Sequence, residues 1–249
     1  MSLRSPAPPS VGEVAPGVHR LGSRRVNWYV VEADGRFTVV DAGLPAHYEQ
    51  LPAFLDERGA TLEDVGALVL THGHADHLGF AERLRQAGVP VYAHPGDDHL
   101  FASGGGPLPR FFVRNCYRPS VAAYLLEAVR GGGRDVPPVA EYHPVVDGET
   151  LPVPGAPRVV HVPGHSPGQC ALWFPASETL LAGDSVVTWD VRTGRSRGPM
   201  LPPVLEDGRR AFESLSRFDR FGVVTLLSGH GDPWRGAASE AVQRAWTSA

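Results

Sequence analysis

Lysine is absent from this chain: all 23 basic residues are arginine. Chemistry that needs a side-chain amine, Schiff-base catalysis first of all, is thereby excluded. Cysteine is scarce, with Cys116 and Cys170 alone in 249 residues. Two such positions make neither a disulfide framework nor a Cys-x-x-Cys site. Cys170, within Gln169-Cys170-Ala171-Leu172-Trp173-Phe174, reads as a small residue of a buried strand, and Cys116 as a free thiol in an irregular segment. No apolar run approaches the ~20 residues of a membrane span. The stretch Met1-Ser2-Leu3-Arg4-Ser5-Pro6-Ala7-Pro8-Pro9 lacks the apolar core of a signal peptide. It reads as a short disordered lead-in, and the expectation is a cytoplasmic protein. Positive charge is not in excess either: 27 acidic residues against 23 basic ones leave a net charge of −4. That is no electrostatic footprint for nucleic acid.

What the chain does have is histidine next to aspartate. Thr71-His72-Gly73-His74-Ala75-Asp76-His77 packs three imidazoles and a carboxylate into six residues. Neutral nitrogen donors beside an anionic oxygen suit zinc, iron or manganese. The run Ala67-Leu68-Val69-Leu70 before them reads as a buried strand, and Leu78 to Leu84 after them as a helix. The ligand-type residues therefore fall on a loop leaving a strand end, where a rigid element can hold exposed groups. Three further segments repeat the pattern. Gly164-His165-Ser166 follows Arg158 to Val162, Gly183-Asp184-Ser185 follows Leu180-Leu181, and Gly229-His230-Gly231 follows Val223 to Leu227. Each short β run ends in a glycine-flanked residue of metal-ligand type, with glycine allowing close backbone approach.

These motifs resemble the metallo-β-lactamase superfamily of dinuclear hydrolases, over about Val18 to His230. The HxHxDH motif and the order His165, Asp184, His230 match the family's ligands, and Val39-Val40-Asp41-Ala42-Gly43 matches a family strand ending in Asp-x-Gly. The resemblance implies that His72, His74 and His165 hold one divalent cation, that Asp76, His77 and His230 hold a second, and that Asp184 bridges both. Zinc is the expected metal, with iron or manganese as alternatives. Asp41 is similar to an aspartate that orients ligand imidazoles without binding metal; otherwise it is a turn residue. An aspartate at 184, where the thiolate-type β-lactamases carry Cys, resembles the lactonases, glyoxalase II thioesterases and related esterases. Members that cleave nucleic acids carry a large inserted domain for which 249 residues leave no room.

The implied activity is hydrolysis of a small carboxylic ester, lactone or thioester. Two cations about 3.5–4 Å apart share a bridging hydroxide available near pH 7, and Asp76 doubles as the catalytic proton shuttle. Features of particular subfamilies are missing. A glutathione-gripping C-terminal region does not fit into residues 231–249, and no Tyr follows Asp184 in Ser185-Val186-Val187-Thr188-Trp189. Two other classes remain as alternatives. One is a mononuclear-iron sulfur dioxygenase-like oxidoreductase, against which His230 argues, and the other is a non-catalytic metal-binding module. The partner expected is a small-molecule substrate, with neither nucleic acid nor membrane, and a homo-oligomer is compatible with the chain.

Both halves of the sequence are strand-rich with helical segments outside. This is the pattern of an α/β protein, an αββα four-layer sandwich of two mixed β-sheets flanked by helices, with the site along one edge. A helix is expected over Tyr48 to Arg58, another over Pro119 to Arg130, and others over Leu205 to Phe218 and Ala237 to Trp246. The whole chain, 1–249, reads as one domain. Its least ordinary stretch, about 96–142, carries Gly104-Gly105-Gly106 and Gly131-Gly132-Gly133, and in the resembled family an insertion here forms a cap. Phe111, Phe112, Tyr117 and Tyr124 either line a substrate pocket or pack this segment onto the sandwich. A second lid candidate, Val186 to Pro203, brings Trp189 as a substrate contact and Arg192, Arg195 and Arg197 as anion-binding or merely solvated charges. His94, His99, His143 and His161 read as structural, His19 and His47 as surface residues.

Overall fold

The computed structural model describes residues 12–23 and 25–248. The lead-in expected at Met1 to Pro9 lies outside them. One mixed sheet runs in chain order: β1 (Gly12–Ala15), β2 (Val18–Gly22), β3 (Asn27–Ala33), β4 (Arg36–Val40), β5 (Val65–Val69), β6 (Val91–Ala93) and β7 (His143–Pro144). The first four strands form an antiparallel meander, and from β4 onward neighbours are parallel. A second sheet contains β8 (Arg158–His161), β9 (Cys170–Phe174), β10 (Thr179–Gly183), β13 (Val223–Ser228) and β14 (Trp234–Ala237), in the order β14-β13-β10-β9-β8. A hairpin of β11 (Val187–Asp190) and β12 (Arg195–Met200) stands apart from both.

Strands covered on both faces need apolar residues at successive positions, and these strands have them. In β3, Trp28 and Val30 belong to the core under the first sheet's helices, while Tyr29 and Val31 belong to the core between the sheets. In the second sheet Leu181 and Leu227 face the first sheet, and Leu180 and Leu226 face helices. Those helices are α1 (Gln50–Asp56), α2 (Ala75–Leu78) and α3 (Ala81–Gln86) on one side, and α7 (Gly208–Ser214) and α8 (Ala238–Thr247) on the other. Four layers in the order helix, sheet, sheet, helix follow directly, as expected from the sequence.

The segment 96–142 folds as α4 (Asp98–Ser103), α5 (Arg110–Asn115) and α6 (Pro119–Arg130). Helix α6 has the limits its breakers predict, with Pro119 in its first turn and Gly131 after its last residue. Elsewhere the helical expectations need correction. The helix expected over Leu78 to Leu84 is broken, because Gly79 and Phe80 donate their N–H groups to the carbonyls of Gly43 and Ala42 instead of continuing the turn. A Cβ on Gly79 would lie 2.3 Å from the Gly43 oxygen, so only glycine permits this approach. The helix expected over Leu205 to Phe218 is α7 followed by a 3₁₀ segment, Leu215–Arg220. The stretch 186–203, the second lid candidate, is mostly the β11–β12 hairpin, with Val187, Thr188, Trp189 and Asp190 buried. Its arginines are partly committed: buried Asp190 accepts from Arg192 Nε at 3.0 Å, and Arg197 Nε lies 3.9 Å from it.

His19 and His47 are buried, contrary to their surface reading. His19 sits edge-on to Phe54, with ring centroids 5.1 Å apart. His47 Nδ1 accepts the N–H of Leu44 at 3.2 Å, and burial pushes its pKa down to about 4. The unfolded chain then binds a proton near pH 6.5 that the folded chain refuses. The stabilisation from a neutral His47 is complete above pH 6.5 and is lost as pH falls toward 4, a change of about 3 kcal/mol. His47→Asn, whose Oδ1 can take over the hydrogen bond from Leu44, is expected to flatten this part of the acid limb. Denaturant midpoints measured from pH 7 to pH 4 test it, and parallel limbs in wild type and variant would count against it.

Candidate metal centre

The parallel pairs β4–β5 and β10–β13 end on one edge of the sandwich, and the chain leaves that edge at Asp41, Thr71, Gly183 and Ser228. Seven side chains meet there. His72 Nε2 and His74 Nδ1 are 3.1 Å apart, and His74 Nδ1 and His165 Nε2 are 2.9 Å apart. Nitrogens bound at about 2.05 Å around a tetrahedral cation stand roughly 3.3 Å from one another, so these three nitrogens have the spacing of a ligand set. Beside them lie His77, His230, Asp76 and Asp184. His230 Nε2 is 3.0 Å from Asp184 Oδ2 and 3.4 Å from Asp76 Oδ2. His77 Nε2 is 3.6 Å from Asp184 Oδ1 and 4.0 Å from Asp76 Oδ1. Asp184 also reaches back to His165 Nε2, 3.6 Å away, so its carboxylate faces both groups. The groupings His72–His74–His165, His72–His77–Asp184 and Asp76–His77–His230 each offer ligand atoms within 4.8 Å of one another.

Two buried atoms test whether this donor set fits cations. His77 Nε2 and Asp184 Oδ1 have no hydrogen-bond partner, although buried polar atoms ordinarily have one. Both point to the place that a second divalent ion would satisfy. The electrostatics divide in the same way. Burial, with neighbouring imidazoles adding to it, lowers the pKa of His72, and burial takes His165 down to about 3, leaving neutral nitrogen donors. In the other group burial opposes ionisation, but carboxylates overcome it. Asp41, Asp184 and Asp76 push His77 up to about 9, and Asp184 and Asp76 push His230 up to about 10. His230 and His77 in turn hold Asp184 well below the carboxylate range against its own burial. Protons there occupy the electrostatic role of a cation, and a bound cation would displace them.

The imidazoles are held from behind. Asp41 accepts His77 Nδ1 at 2.8 Å, Thr71 N–H at 2.7 Å and Thr71 Oγ1 at 2.9 Å, while Thr71 Oγ1 lies 3.1 Å from His72 Nδ1. One carboxylate thus orients rings in both groups. It does so from a left-handed backbone, φ 61°, a conformation that aspartate tolerates better than most residues and that three hydrogen bonds here hold. His165 Nδ1 is paired with the Val204 carbonyl at 2.9 Å, and His230 Nδ1 with that of Arg25. The loop of His230 is braced from the opposite sheet, where Asn27 Nδ2 donates to the carbonyls of Ser228 and Gly231.

Asp97, unmarked in the sequence, and Tyr124, marked there as a pocket or packing residue, complete the site. Asp97 is fully buried and accepts Gly73 N–H at 2.8 Å, Ser166 Oγ at 2.7 Å and Gly168 N–H at 2.6 Å. It joins the loop of His72 and His74 to the loop of His165. A Cβ on Gly168 would lie 2.7 Å from the Asp97 carboxyl carbon, so glycine is required at this contact. Tyr124, on α6, donates its hydroxyl to Asp76 Oδ2 at 2.8 Å. The sequence marks it as one position of an apolar helix face, which conceals the role of its hydroxyl. Tyr124→Phe is expected to leave α6 in place and to weaken binding of the second cation by about tenfold, as loss of a partner behind a ligand does. Metal competition titration that returned wild-type affinities would refute it.

Of the other aromatics singled out in the sequence, Phe112 and Trp189 line the cavity above this His/Asp cluster. Phe111 does not; it packs with Phe112 at 5.4 Å against the cluster under α6. Tyr117 is 73% exposed and lies outside the cavity lining, because it falls between α5 and α6 where the chain turns at the surface. His94 and His161 stack on each other at 4.0 Å.

The superfamily profile described as metallo-beta-lactamase superfamily matches residues 21–230. The chain belongs to the metallo-beta-lactamase superfamily. Among related proteins, the probable metallo-hydrolase YflN of Bacillus subtilis is 28% identical over 237 residues, covering 90% of this chain and 87% of that one. An uncharacterized protein of Aquifex aeolicus is 30% identical over 190 residues, covering 70% and 74%. Among solved structures, the metallo-beta-lactamase family protein TTHA1429 of Thermus thermophilus is 27% identical, with TM-score 0.65 over 94% of this chain and 79% of that one. TTHA1623, solved in a di-iron-bound form, is 26% identical, with TM-score 0.62 over 91% and 96%. The metallo-beta-lactamase fold and a His/Asp cluster of divalent-metal type therefore agree. No described helix is long and apolar enough to cross a membrane.

Proposed function

We propose that this protein is a dinuclear metal-dependent hydrolase of a small carboxylic ester, lactone or thioester. The observation that carries the reading is the position of Asp184, whose carboxylate lies between the two nitrogen groups, 3.6 Å from His165 of one and 3.0 and 3.6 Å from His230 and His77 of the other. His72, His74 and His165 would hold one cation, and Asp76, His77 and His230 the other, with Asp184 shared. When bound, two such ions acidify water to a pKa of about 7 and polarise a carbonyl. The chain's own residues do the rest. Asp41 and the Val204 and Arg25 carbonyls keep the imidazoles oriented, and the apolar walls around Trp189 exclude bulk water. Asp76, at the cavity wall with Tyr124 donating to it, is placed to hand a proton to the departing oxygen or sulfur. In the net reaction the acyl C–O or C–S bond breaks, water supplies the new C–O bond, and its proton leaves with the alcohol or thiol.

The names of YflN and a second Bacillus subtilis relative, YybB, both probable metallo-hydrolases, support the reaction class. Zinc is our first assignment for a donor set of nitrogen and carboxylate oxygen; the di-iron form of TTHA1623 makes iron the second. The segment 96–142 acts in this reading as a cap over a small-molecule substrate. Elemental analysis of purified protein, followed by an ester, lactone and thioester panel, is the test. Two ions per chain and hydrolysis abolished by chelation are expected. A single iron with oxygen uptake on a persulfide would replace this reading with a dioxygenase.

A further inference from the structure

The cavity above the ligand residues measures about 470 Å³, within the range that encloses a drug-sized molecule. Its walls are apolar, with Phe112, Tyr124, Leu125, Val129 and Trp189 among them. Phe112 and Tyr124 stack at 5.1 Å with 17° between their planes, and Trp189 tilts against Tyr124 at 6.4 Å. Beyond the metal-ligand residues, the lining side chains that can form hydrogen bonds are Ser103, Tyr124, Trp189 and Arg134. Tyr124 is committed to Asp76, and Ser103 Oγ donates to the backbone carbonyls of His99 and Leu100.

Arg134 stands at the exposed edge of that lining. It carries the lining's one formal charge outside the ligand set. Among the described residues none forms an ion pair with it; the same holds for Arg110, Arg114 and Arg130 of this segment, but of these four Arg134 alone lines the cavity. Asp76 and Asp184 line the same cavity without pairing with Arg134, so its guanidinium stands apart from the ligand carboxylates. Its backbone is nevertheless fixed. Gly131, Gly132 and Gly133 donate back to the carbonyls of Glu127, Val129 and Ala128 at the end of α6, and Asp135 N–H returns to Gly132.

A sugar, nucleotide or peptide would bring many polar groups against walls that offer few partners, and each unpaired buried group weakens binding. An apolar body fits those walls, and a single anionic group fits the unpaired arginine. We infer that the cavity selects an amphipathic monoanion: an apolar acyl or aryl body carrying one carboxylate, or another single anionic group, remote from the scissile carbonyl. This rests on the hydrolase reading for the bond that is cleaved, though not for the binding itself.

A matched pair of esters tests it on the metal-loaded protein: 4-nitrophenyl hexanoate and the mono-4-nitrophenyl ester of adipic acid, equal in chain length and different in one terminal carboxylate. The wild type is expected to favour the adipate ester about tenfold in kcat/KM, as a charge-assisted contact allows, and less so at high salt. In Arg134→Gln the ratio is expected to fall to about one, and in Arg134→Glu below one. Because the ratio is taken within one protein, loss of folded material cancels. A carboxylate attracted only to the metal ions would give the same ratio in all three proteins and would overturn the inference. If neither ester is cleaved, the hydrolase reading is what fails. Calorimetric binding of the matched N-methylamides then decides the present inference: adipate preferred by wild type and not by Arg134→Gln supports it, and equal preference in both overturns it.

Discussion

Asp184→Ala is expected to remove metal and activity together. Its carboxylate sits 3.0 Å from His230 and 3.6 Å from both His77 and His165, so in the proposed dinuclear scheme its loss would take a ligand from both groups at once. It also leaves His230 without its nearest counter-charge and takes from His77 one of the carboxylates around it, in a place where burial already opposes their ionisation. Partners behind a ligand typically cost 10–100-fold in metal affinity or activity; a shared ligand should exceed about 100-fold for the second ion. The purified variant should therefore hold fewer than two ions per chain after dialysis and should show no hydrolysis above background. Asp184→Asn separates charge from shape, since the amide keeps the volume but loses the anion, and it should lie between wild type and Ala in metal content. Wild-type turnover by a variant with one ion would end the dinuclear scheme.

The ease with which this site is read from sequence, and the residues that escape such reading, have one physical origin. His72, His74, Asp76 and His77 are legible as a cluster because a loop at a strand end can bring several side chains of ligand type within one turn, and their spacing is local. His165, Asp184 and His230 are legible because each stands beside glycine directly after a short apolar run, the mark of a chain leaving a buried strand. The layers follow from the same source, since runs such as Trp28-Tyr29-Val30-Val31 can be apolar at every position only where both faces are covered. Tyr124 is hidden because its partner Asp76 is 48 positions away, and in a helical pattern its ring counts as core. Tyr117 misleads for the converse reason: an aromatic near a cap looks like a pocket residue until the turn between α5 and α6 places it in solvent. The β11–β12 hairpin is disguised by Arg192, Arg195 and Arg197, which read as loop while Val187, Trp189 and Met200 pack beneath.

Asp97 escapes sequence reading most completely, and its replacement is expected to have the largest effect on stability. In Pro95-Gly96-Asp97-Asp98 it looks like a turn residue, yet its three donors are 24, 69 and 71 positions away. Asp97→Ala strands the N–H groups of Gly73 and Gly168 and the hydroxyl of Ser166 in a buried place. Each such group costs about 1–3 kcal/mol, so a loss of about 3–5 kcal/mol is expected, a large part of the 5–15 kcal/mol typical of a domain. Asp97→Asn should recover part of it, because its amide oxygen still accepts while its NH₂ meets an N–H or hydroxyl that also donates. The consequence for the metal centre separates this residue from an ordinary buried aspartate. Gly73 lies between His72 and His74, and Gly168 and Ser166 flank the loop of His165, so release of all three loosens the first ligand group while Asp76, His77 and His230 keep their own supports. Metal titration of Asp97→Asn should therefore show the first site weakened by about 10–100-fold and the second site less affected, the reverse of the order expected for Tyr124→Phe. Equal weakening of both sites, or a stability loss below about 1 kcal/mol, would show that the two loops hold their geometry without Asp97.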